Sequence, residues 1–257
     1  MAALSRTIRT AMLTLGGAAL VTLAAPAAAT TFTFDEFVSY DQTIWGGPLI
    51  AGTPPQLIHD NFHILYPGVF ELGIPLSSGG HFMDFTDQST LLVYLPQALA
   101  PGALNANVTD PDSTSSGIFG GQIAALKLDI DFSDADLLAH PSGVAFGDLL
   151  FTGLTGGLAG VDGLTIRQVS SIANILLGGG TEPYSFVDFS SLLNDVNASF
   201  QGGFVSVFAQ DHLELPAIAT PAPEPSTWLL MLVPMAGFGC NSLRRRFRGG
   251  KSRRFAC

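Results

Sequence analysis

The sequence predicts a mostly β exported domain, a two-sheet antiparallel sandwich of jelly-roll type with a small helical excursion. Three observations predict this fold class. Between residues 30 and 215, short apolar runs end repeatedly at Gly, Pro, Asn or Asp, a pattern typical of strands joined by loops. Residues 124–132 alternate apolar and polar side chains, as a half-buried antiparallel strand does. Apolar residues recur at helical spacing in a single interval, residues 163–196.

The strands follow one another between turn signals. The first places Phe32 and Phe34 on one face, because alternate side chains of a strand point the same way. In residues 124–132, Leu126 and Leu128 lie on the apolar face and Asp129 on the wet one. Residues 101–121 form a loop-rich interval. Strands are predicted at 31–40, 56–66, 68–73, 81–85, 90–95, 124–132, 143–154 and 202–215.

The helical excursion begins after Gly163. Thr165 and Gln168 have the spacing of a capping box, and three glycines from Gly178 stop the run. The apolar residues between them recur at helical spacing: Ile166, Val169, Ile172, Ala173, Leu176 and Leu177. A second, shorter helix is predicted over residues 188–196.

The N-terminus has the three regions of a secretory signal peptide. Arg6 and Arg9 precede an almost wholly apolar run over residues 11–25, and small residues follow Pro26. This order predicts a signal peptide at residues 1–29, cleaved after Ala29. The exported domain then occupies residues 30–215.

The C-terminus carries a second tripartite segment. A Pro/Ala linker at residues 216–226 contains Pro223, Glu224 and Pro225, and an apolar segment follows at 227–243. Its 17 residues would make a helix of about 25 Å, at the short end of what spans a bilayer. Residues 244–257 form a basic tail with seven Lys or Arg, which holds that end in the cytoplasm.

This C-terminal segment resembles the PEP-CTERM sorting signal of exported bacterial proteins. The matching parts are the residues from Pro223 to Trp228, the apolar stretch, and Arg244, Arg245 and Arg246. The resemblance covers roughly the last thirty-five residues and implies recognition by an exosortase, a membrane-embedded processing enzyme. It also implies that the protein is anchored in the inner membrane before processing and then passes to the cell surface or extracellular matrix.

The charge of the exported domain excludes one class of function. Between residues 30 and 222 only Lys127 and Arg167 are basic, against twenty acidic residues, a net charge of −18. Such a domain repels nucleic acid. Both cysteines, Cys240 and Cys257, lie in the tail, so the domain has neither a disulfide nor a thiol nucleophile.

Four groups of residues in the domain suggest chemistry, and each has a simpler interpretation as surface, turn or core. His59 and His63 would share a strand face and could hold a metal, but they lack the Glu of a metalloprotease helix. Asp110, Asp112, Thr114 and Ser116 have the alternate spacing of a calcium loop without its Gly and Glu. Paired carboxylates suit glycoside hydrolysis, and the candidates for them are Asp129, Asp131, Asp134 and Asp136. Tyr40 and Trp45 could flank a sugar-binding loop.

The function predicted from these patterns is that of a non-enzymatic, surface- or matrix-associated protein sorted through its C-terminal signal. Its partners would be an exosortase-type enzyme and, as a candidate, extracellular polysaccharide. No catalytic, metal-binding or cofactor-binding residue is predicted; the processing motif is Pro223, Glu224 and Pro225. Two alternatives stay open: a secreted polysaccharide-active hydrolase or lyase, and a calcium- or carbohydrate-binding adhesion module.

Overall fold

Helices, rather than strands, make up most of this domain. In a computed structural model of the chain, which describes residues 36–74, 78–141 and 143–216, helices account for about 47% and strands for only 8%. The predicted signal peptide, the Pro223–Pro225 motif, the apolar segment and the basic tail lie outside the described residues. The prediction of a mostly β sandwich is therefore wrong.

Seven α-helices occur in the described residues, most of them started by a side-chain cap or by proline. The side chains of Asp41, Asp87, Thr165, Ser185 and Ser206 each accept a hydrogen bond from a first-turn N–H, which satisfies a donor without a helical partner. The helices are α1 (Gln42–Trp45), α2 (Pro54–Leu65), α3 (Gln88–Tyr94), α4 (Ile118–Asp134), α5 (Ile166–Leu177), α6 (Phe186–Asn197) and α7 (Val207–His212). Short 3-10 helices lie at Phe146–Asp148, Gly156–Val161 and Gln201–Gly203.

The strands form two small sheets. In the first, β1 and β2 are antiparallel, with Phe70 opposite Phe85, and β2 and β3 are parallel. In the second, β4 and β5 are antiparallel. The strands are β1 (Phe70–Gly73), β2 (Phe82–Phe85), β3 (Val108–Thr109), β4 (Leu150–Phe151) and β5 (Leu213–Glu214).

Helix α4 is the centre of the fold. It packs against α1, α5, α6 and the 3-10 helix Phe146–Asp148, and α5 in turn covers β1. Thirteen of its 17 residues are buried. Aromatic rings fill much of the space around it, as in the contacts of Trp45 with Phe132 at 5.3 Å between centroids and of Phe37 with Phe200 at 5.2 Å.

The predicted strand at residues 124–132 is the largest error, because these residues lie in α4. The sequence alternates here between apolar and polar residues, which predicted one buried and one solvent-exposed face. The apolar residues are Leu126, Leu128, Ile130 and Phe132, and the polar ones are Lys127, Asp129 and Asp131. Asp129 is fully buried, so the predicted solvent-exposed face does not exist. A helix buried on nearly all sides lacks the polar stripe that reveals helical periodicity.

Four other predicted strands are also wrong. Residues 143–154 contain the 3-10 helix Phe146–Asp148 and only the two-residue strand β4. All but the last of residues 56–66 belong to α2, where Pro54 and Pro55 occupy the first helical positions that proline favours. Residues 90–95 lie mostly in α3, and residues 202–215 contain α7 and only the two-residue strand β5. Phe204 and Val207 are 71% and 77% exposed.

Several local predictions are confirmed. Helix α5 has both hydrogen bonds of its capping box, between Thr165 and Gln168, and it ends at Gly178. Helix α6 lies where the shorter second helix was predicted. Strands β1 and β2 fall within the predicted strands at 68–73 and 81–85.

None of the helices in the described residues has the length and apolarity needed to span a bilayer. The predicted transmembrane segment at 227–243 lies outside those residues.

A methyl group added at Gly46 should destabilise the domain. Gly46 ends α1, and a β-carbon there would lie 2.8 Å from the Pro96 nitrogen and closer still to the Leu95 carbonyl group. Since backbone atoms cannot step aside cheaply, we expect Gly46→Ala to lower the free energy of unfolding by at least about 2 kcal/mol. Urea denaturation of the purified protein measures it. Gly68→Ala, where a β-carbon meets no atom within 4 Å, is the control, and equal losses in the two variants would contradict the packing.

Candidate functional site

The exposed face of α6 carries a row of polar side chains. The helix buries Phe189, Leu192, Leu193 and Val196 against the domain. Its opposite face presents Val187, Asp188, Ser191, Asn194 and Asp195 to solvent. These five residues share one side because they are spaced by three or four positions, the spacing of neighbours on a helix surface.

Two depressions flank this face. One has a volume of about 290 Å³ and lies between α6, the 3-10 helix Gly156–Val161 and α7. The other has a volume of about 520 Å³ and lies between α6, Pro101 and the start of α4 at Ile118. Ser191 and Asp195 line both, so the two depressions lie on either side of these exposed side chains. We call the two depressions together the α6 groove.

The lining of the α6 groove combines apolar patches with hydrogen-bonding groups. Leu154, Leu158, Leu192 and Phe208 form the apolar part of the smaller depression, and Pro101, Ile118 and Val187 that of the larger one. The polar groups are Thr155, Asp188, Ser190, Ser191, Asn194 and Asp195. No lysine, arginine or histidine is among these lining residues, so the groove carries negative charge without a compensating cation.

Contacts from within the domain orient two of the polar side chains. The Ser185 hydroxyl donates to Asp188 Oδ2 at 2.7 Å. The buried Gln122 of α4 donates from Nε2 to Asn194 Oδ1 at 3.0 Å. Because the Asn194 oxygen faces Gln122, the NH₂ group of the same amide points away from it. The groove therefore offers carboxylate and hydroxyl oxygens and one amide donor, a set suited to non-covalent recognition of polar ligands.

The four carboxylates considered for glycoside hydrolysis do not converge. Because Asp129 and Asp131 are two residues apart on a helix, they point to different sides instead of sharing a strand face. Asp131 accepts from the Tyr66 hydroxyl and pairs with Lys127, each at 2.9 Å. Asp134 pairs with Arg167 at 2.7 Å, and Asp136 with His140 at 3.0 Å.

Asp129 holds the N-terminal part of the domain against α4. Its Oδ1 accepts from the Tyr40 backbone N–H at 2.9 Å and from Trp45 Nε1–H at 3.0 Å. Its Oδ2 has no hydrogen-bond partner in the part of the chain that the structure describes. Burial raises the pKa of Asp129 well above its usual range; the two hydrogen bonds oppose this, and the charge of Asp41 adds to it.

The predicted sugar platform at Tyr40 and Trp45 is wrong in its key residue. Trp45 is completely buried and packs edge-on against Tyr40 at 5.5 Å between ring centroids. A ring without exposed area cannot stack on a sugar. Trp45 is instead part of the core that covers α4.

The histidine pair lies on a helix and not on a strand. His59 and His63 belong to α2, where His59 contacts Asp60 at 2.9 Å and His63 lies 3.6 Å from Asp87. Within residues 36–74, 78–141 and 143–216, no cluster of three or more His, Cys, Asp or Glu side chains could hold a metal ion.

The candidate calcium loop is engaged in hydrogen bonds of its own. Asp110 Oδ1 accepts from the Thr86 N–H at 2.8 Å and the Thr90 hydroxyl at 2.7 Å, and Oδ2 accepts from the Thr86 hydroxyl at 2.6 Å. Burial acts to raise the pKa of Asp110, but these hydrogen bonds outweigh it and the pKa is lowered. The carboxylate therefore ties the segment before α3 to the loop that follows β3.

Sequence reasoning missed the α6 groove. One signal was available, since Asp188, Ser191 and Asp195 lie on one side of a helix that the sequence did predict. The other walls could not be found in the same way, because Leu158 and Phe208 come from distant segments and residues 202–215 were taken for a strand. No protein-family model, no curated protein and no solved structure matches this chain.

The buried carboxyl of Asp129 should make stability depend on pH. Its pKa in the folded state lies above the value of about 3.9 of an unfolded chain, so the folded state binds more protons between those two values. Stability then falls as the pH rises from the unfolded pKa toward the folded one. Asp129→Asn keeps an acceptor for Tyr40 and Trp45 but does not titrate. We expect its free energy of unfolding, measured by urea denaturation between pH 4 and 8, to fall less steeply with pH than that of the wild type.

Two further variants test the same carboxyl. Asp112→Asn changes an exposed acidic residue and should leave the wild-type pH dependence in place. Asp129→Leu removes the acceptor of two buried donors and should cost about 3 kcal/mol near pH 4, with a smaller deficit at higher pH, where the wild type itself loses stability. A wild-type slope in Asp129→Asn would show that Asp129 does not cause the pH dependence.

Proposed function

We propose that this protein is an exported, non-enzymatic component of the cell surface or extracellular matrix, sorted through its C-terminal signal. The observation that carries the proposal is the order of three elements at the C-terminus: the Pro223-Glu224-Pro225 motif, the apolar segment 227–243 and the arginines from Arg244. An exosortase-type enzyme is the proposed processing partner.

The distribution of charge supports this topology. Nine of the eleven basic residues lie in the terminal segments and two in the domain. Basic residues at both ends favour the cytoplasmic side of a membrane, and the acidic domain between them would then lie outside. Before processing the protein would be anchored in the inner membrane, and after it the domain would be released to the surface.

The two basic residues of the domain are both engaged in ion pairs. Lys127 pairs with Asp131 and also lies over the rings of Tyr66 and Phe70, 5.6 and 5.5 Å from their centroids. Arg167 makes two hydrogen bonds to Asp134 and one to Asp148. The described surface is thus dominated by acidic groups, which supports solubility outside the cell and argues against nucleic acid as a partner.

Replacing Pro223, Glu224 and Pro225 together by alanine should block processing. A residue before proline avoids the helical conformation, so we expect the motif to be extended and accessible to an enzyme at the membrane surface. We expect the variant to stay in the membrane fraction as a single species retaining residues 227–257. Intact-mass analysis and fractionation of the producing cells measure both properties.

Pro221→Ala is the matched control, because it removes a proline from the same linker outside the motif. It should be processed as the wild type is. Processing of the triple variant at the wild-type rate, or normal processing in cells that lack the exosortase, would refute the sorting mechanism.

A further inference from the structure

We propose that the two ends of the domain form a clasp and that the domain folds only when this clasp closes, so that the chain stays unfolded until residues 197–201 have been exported. The clasp consists of residues 37–41 and 197–201. The inference rests on the function proposed above only for the direction in which the chain leaves the cell, with its N-terminus first.

Hydrogen bonds between the two halves of the clasp join residues 158 to 161 positions apart in the chain. The Ser39 hydroxyl donates to the Asn197 carbonyl oxygen at 2.8 Å and accepts from the Phe200 N–H at 3.1 Å. The Asp41 N–H donates to Gln201 Oε1 at 3.3 Å. None of these bonds can form while one half of the clasp is still inside the cell.

The clasp is part of the core of the domain. Ser39 and Asn197 have no exposed surface, and Phe37 and Phe200 are each 2% exposed, with 5.2 Å between their ring centroids. A buried hydroxyl without partners costs free energy, and Phe37 without Phe200 would leave an apolar ring in contact with water. The first half of the clasp is therefore not stable in its folded position before the second half arrives.

Helix α4 connects the two halves of the clasp into a closed ring of contacts. Asn197 Nδ2 donates to Gln122 Oε1 of α4 at 2.8 Å. Further along α4, Asp129 accepts from the N–H of Tyr40, the residue next to Ser39, at 2.9 Å. Opening the ring at any of these contacts leaves a buried polar group without its partner, so the clasp and α4 form together.

Stepwise folding of the first half of the domain is the main alternative. Residues 36–134 contain α1 to α4 and the first sheet, but α4 would then lack α5 and α6, which cover it in the complete domain. Phe119 of α4, for example, packs on Phe186 and Phe189 of α6, at 5.4 and 6.5 Å between centroids. An incomplete domain would expose this apolar helix to water, which argues against a stable folded intermediate.

Hydrogen exchange of the full chain purified in detergent tests whether the clasp supports the whole domain. Ser39→Ala removes both hydrogen bonds of the Ser39 hydroxyl. We expect it to speed exchange at the Phe200 amide and at residues 122–134 by the same factor, about tenfold or more. Ser171→Ala is the control, because it removes an exposed hydroxyl that bonds the Arg167 carbonyl within α5. It should change these exchange rates by less than about twofold.

Refolding of the wild-type chain gives a second measurement that does not depend on a variant. After dilution from urea, pulse-labelled hydrogen exchange records when each amide becomes protected. The amides of α4, α5 and Phe200 should gain protection with a single time constant, because no part of the domain is stable before the clasp closes.

The proposal is overturned if Ser39→Ala leaves exchange of residues 122–134 as in the wild type, whether or not Phe200 exchanges faster, because the clasp would then be only a local contact. It is also overturned if α4 or α5 becomes protected before Phe200 during refolding. Both experiments use purified protein, so their failure would leave the sorting mechanism intact. Conversely, failure of the Pro223-Glu224-Pro225 experiment would not alter hydrogen exchange in the purified chain.

Discussion

Helix α4 is covered on nearly every side, so its buried polar side chains can be satisfied only by the segments that cover it. Gln122 interacts with Asn194 and Asn197 of α6, at 3.0 and 2.8 Å. Asp129 accepts from Tyr40 and Trp45 near the N-terminus of the domain. Ser133 accepts from the Phe146 N–H at 3.0 Å. Since a buried polar group without a partner is costly, these contacts select one arrangement of the three covering segments.

The same constraint reaches the surface through α6. Gln122 touches Asn197 on the buried side of α6 and Asn194 at the edge of the groove, so the central helix sets both the position of α6 and the orientation of a groove residue. A binding surface on a rigid helix keeps its geometry without a ligand. The position of the α6 groove thus depends on the hydrogen bonds that α4 makes to α6.

Local signals in the sequence predicted local structure, and tertiary packing decided the rest. Thr165 and Gln168 predicted the start of α5 correctly because a capping box acts through neighbouring residues. Residues 56–66 were predicted to form a strand, although Pro54 and Pro55 before them are well suited to the first turn of a helix. The period of two in α4 had no structural meaning, because burial on all sides removes the polar stripe that identifies a helix. One wall of the groove, α6, was predictable, but the contributions of Leu158 and Phe208 depend on contacts between distant segments.

Hydrogen exchange of the backbone amides tests the central role of α4 most directly. In the full chain purified in detergent, residues 122–134 and the Tyr40 amide should exchange only when the whole domain unfolds. Helix α2, of which only Pro55, Ile58 and Phe62 are buried, should exchange faster through local opening. Exchange of α4 as fast as that of α2, or rapid exchange at Tyr40, would contradict a fold organised around a buried helix.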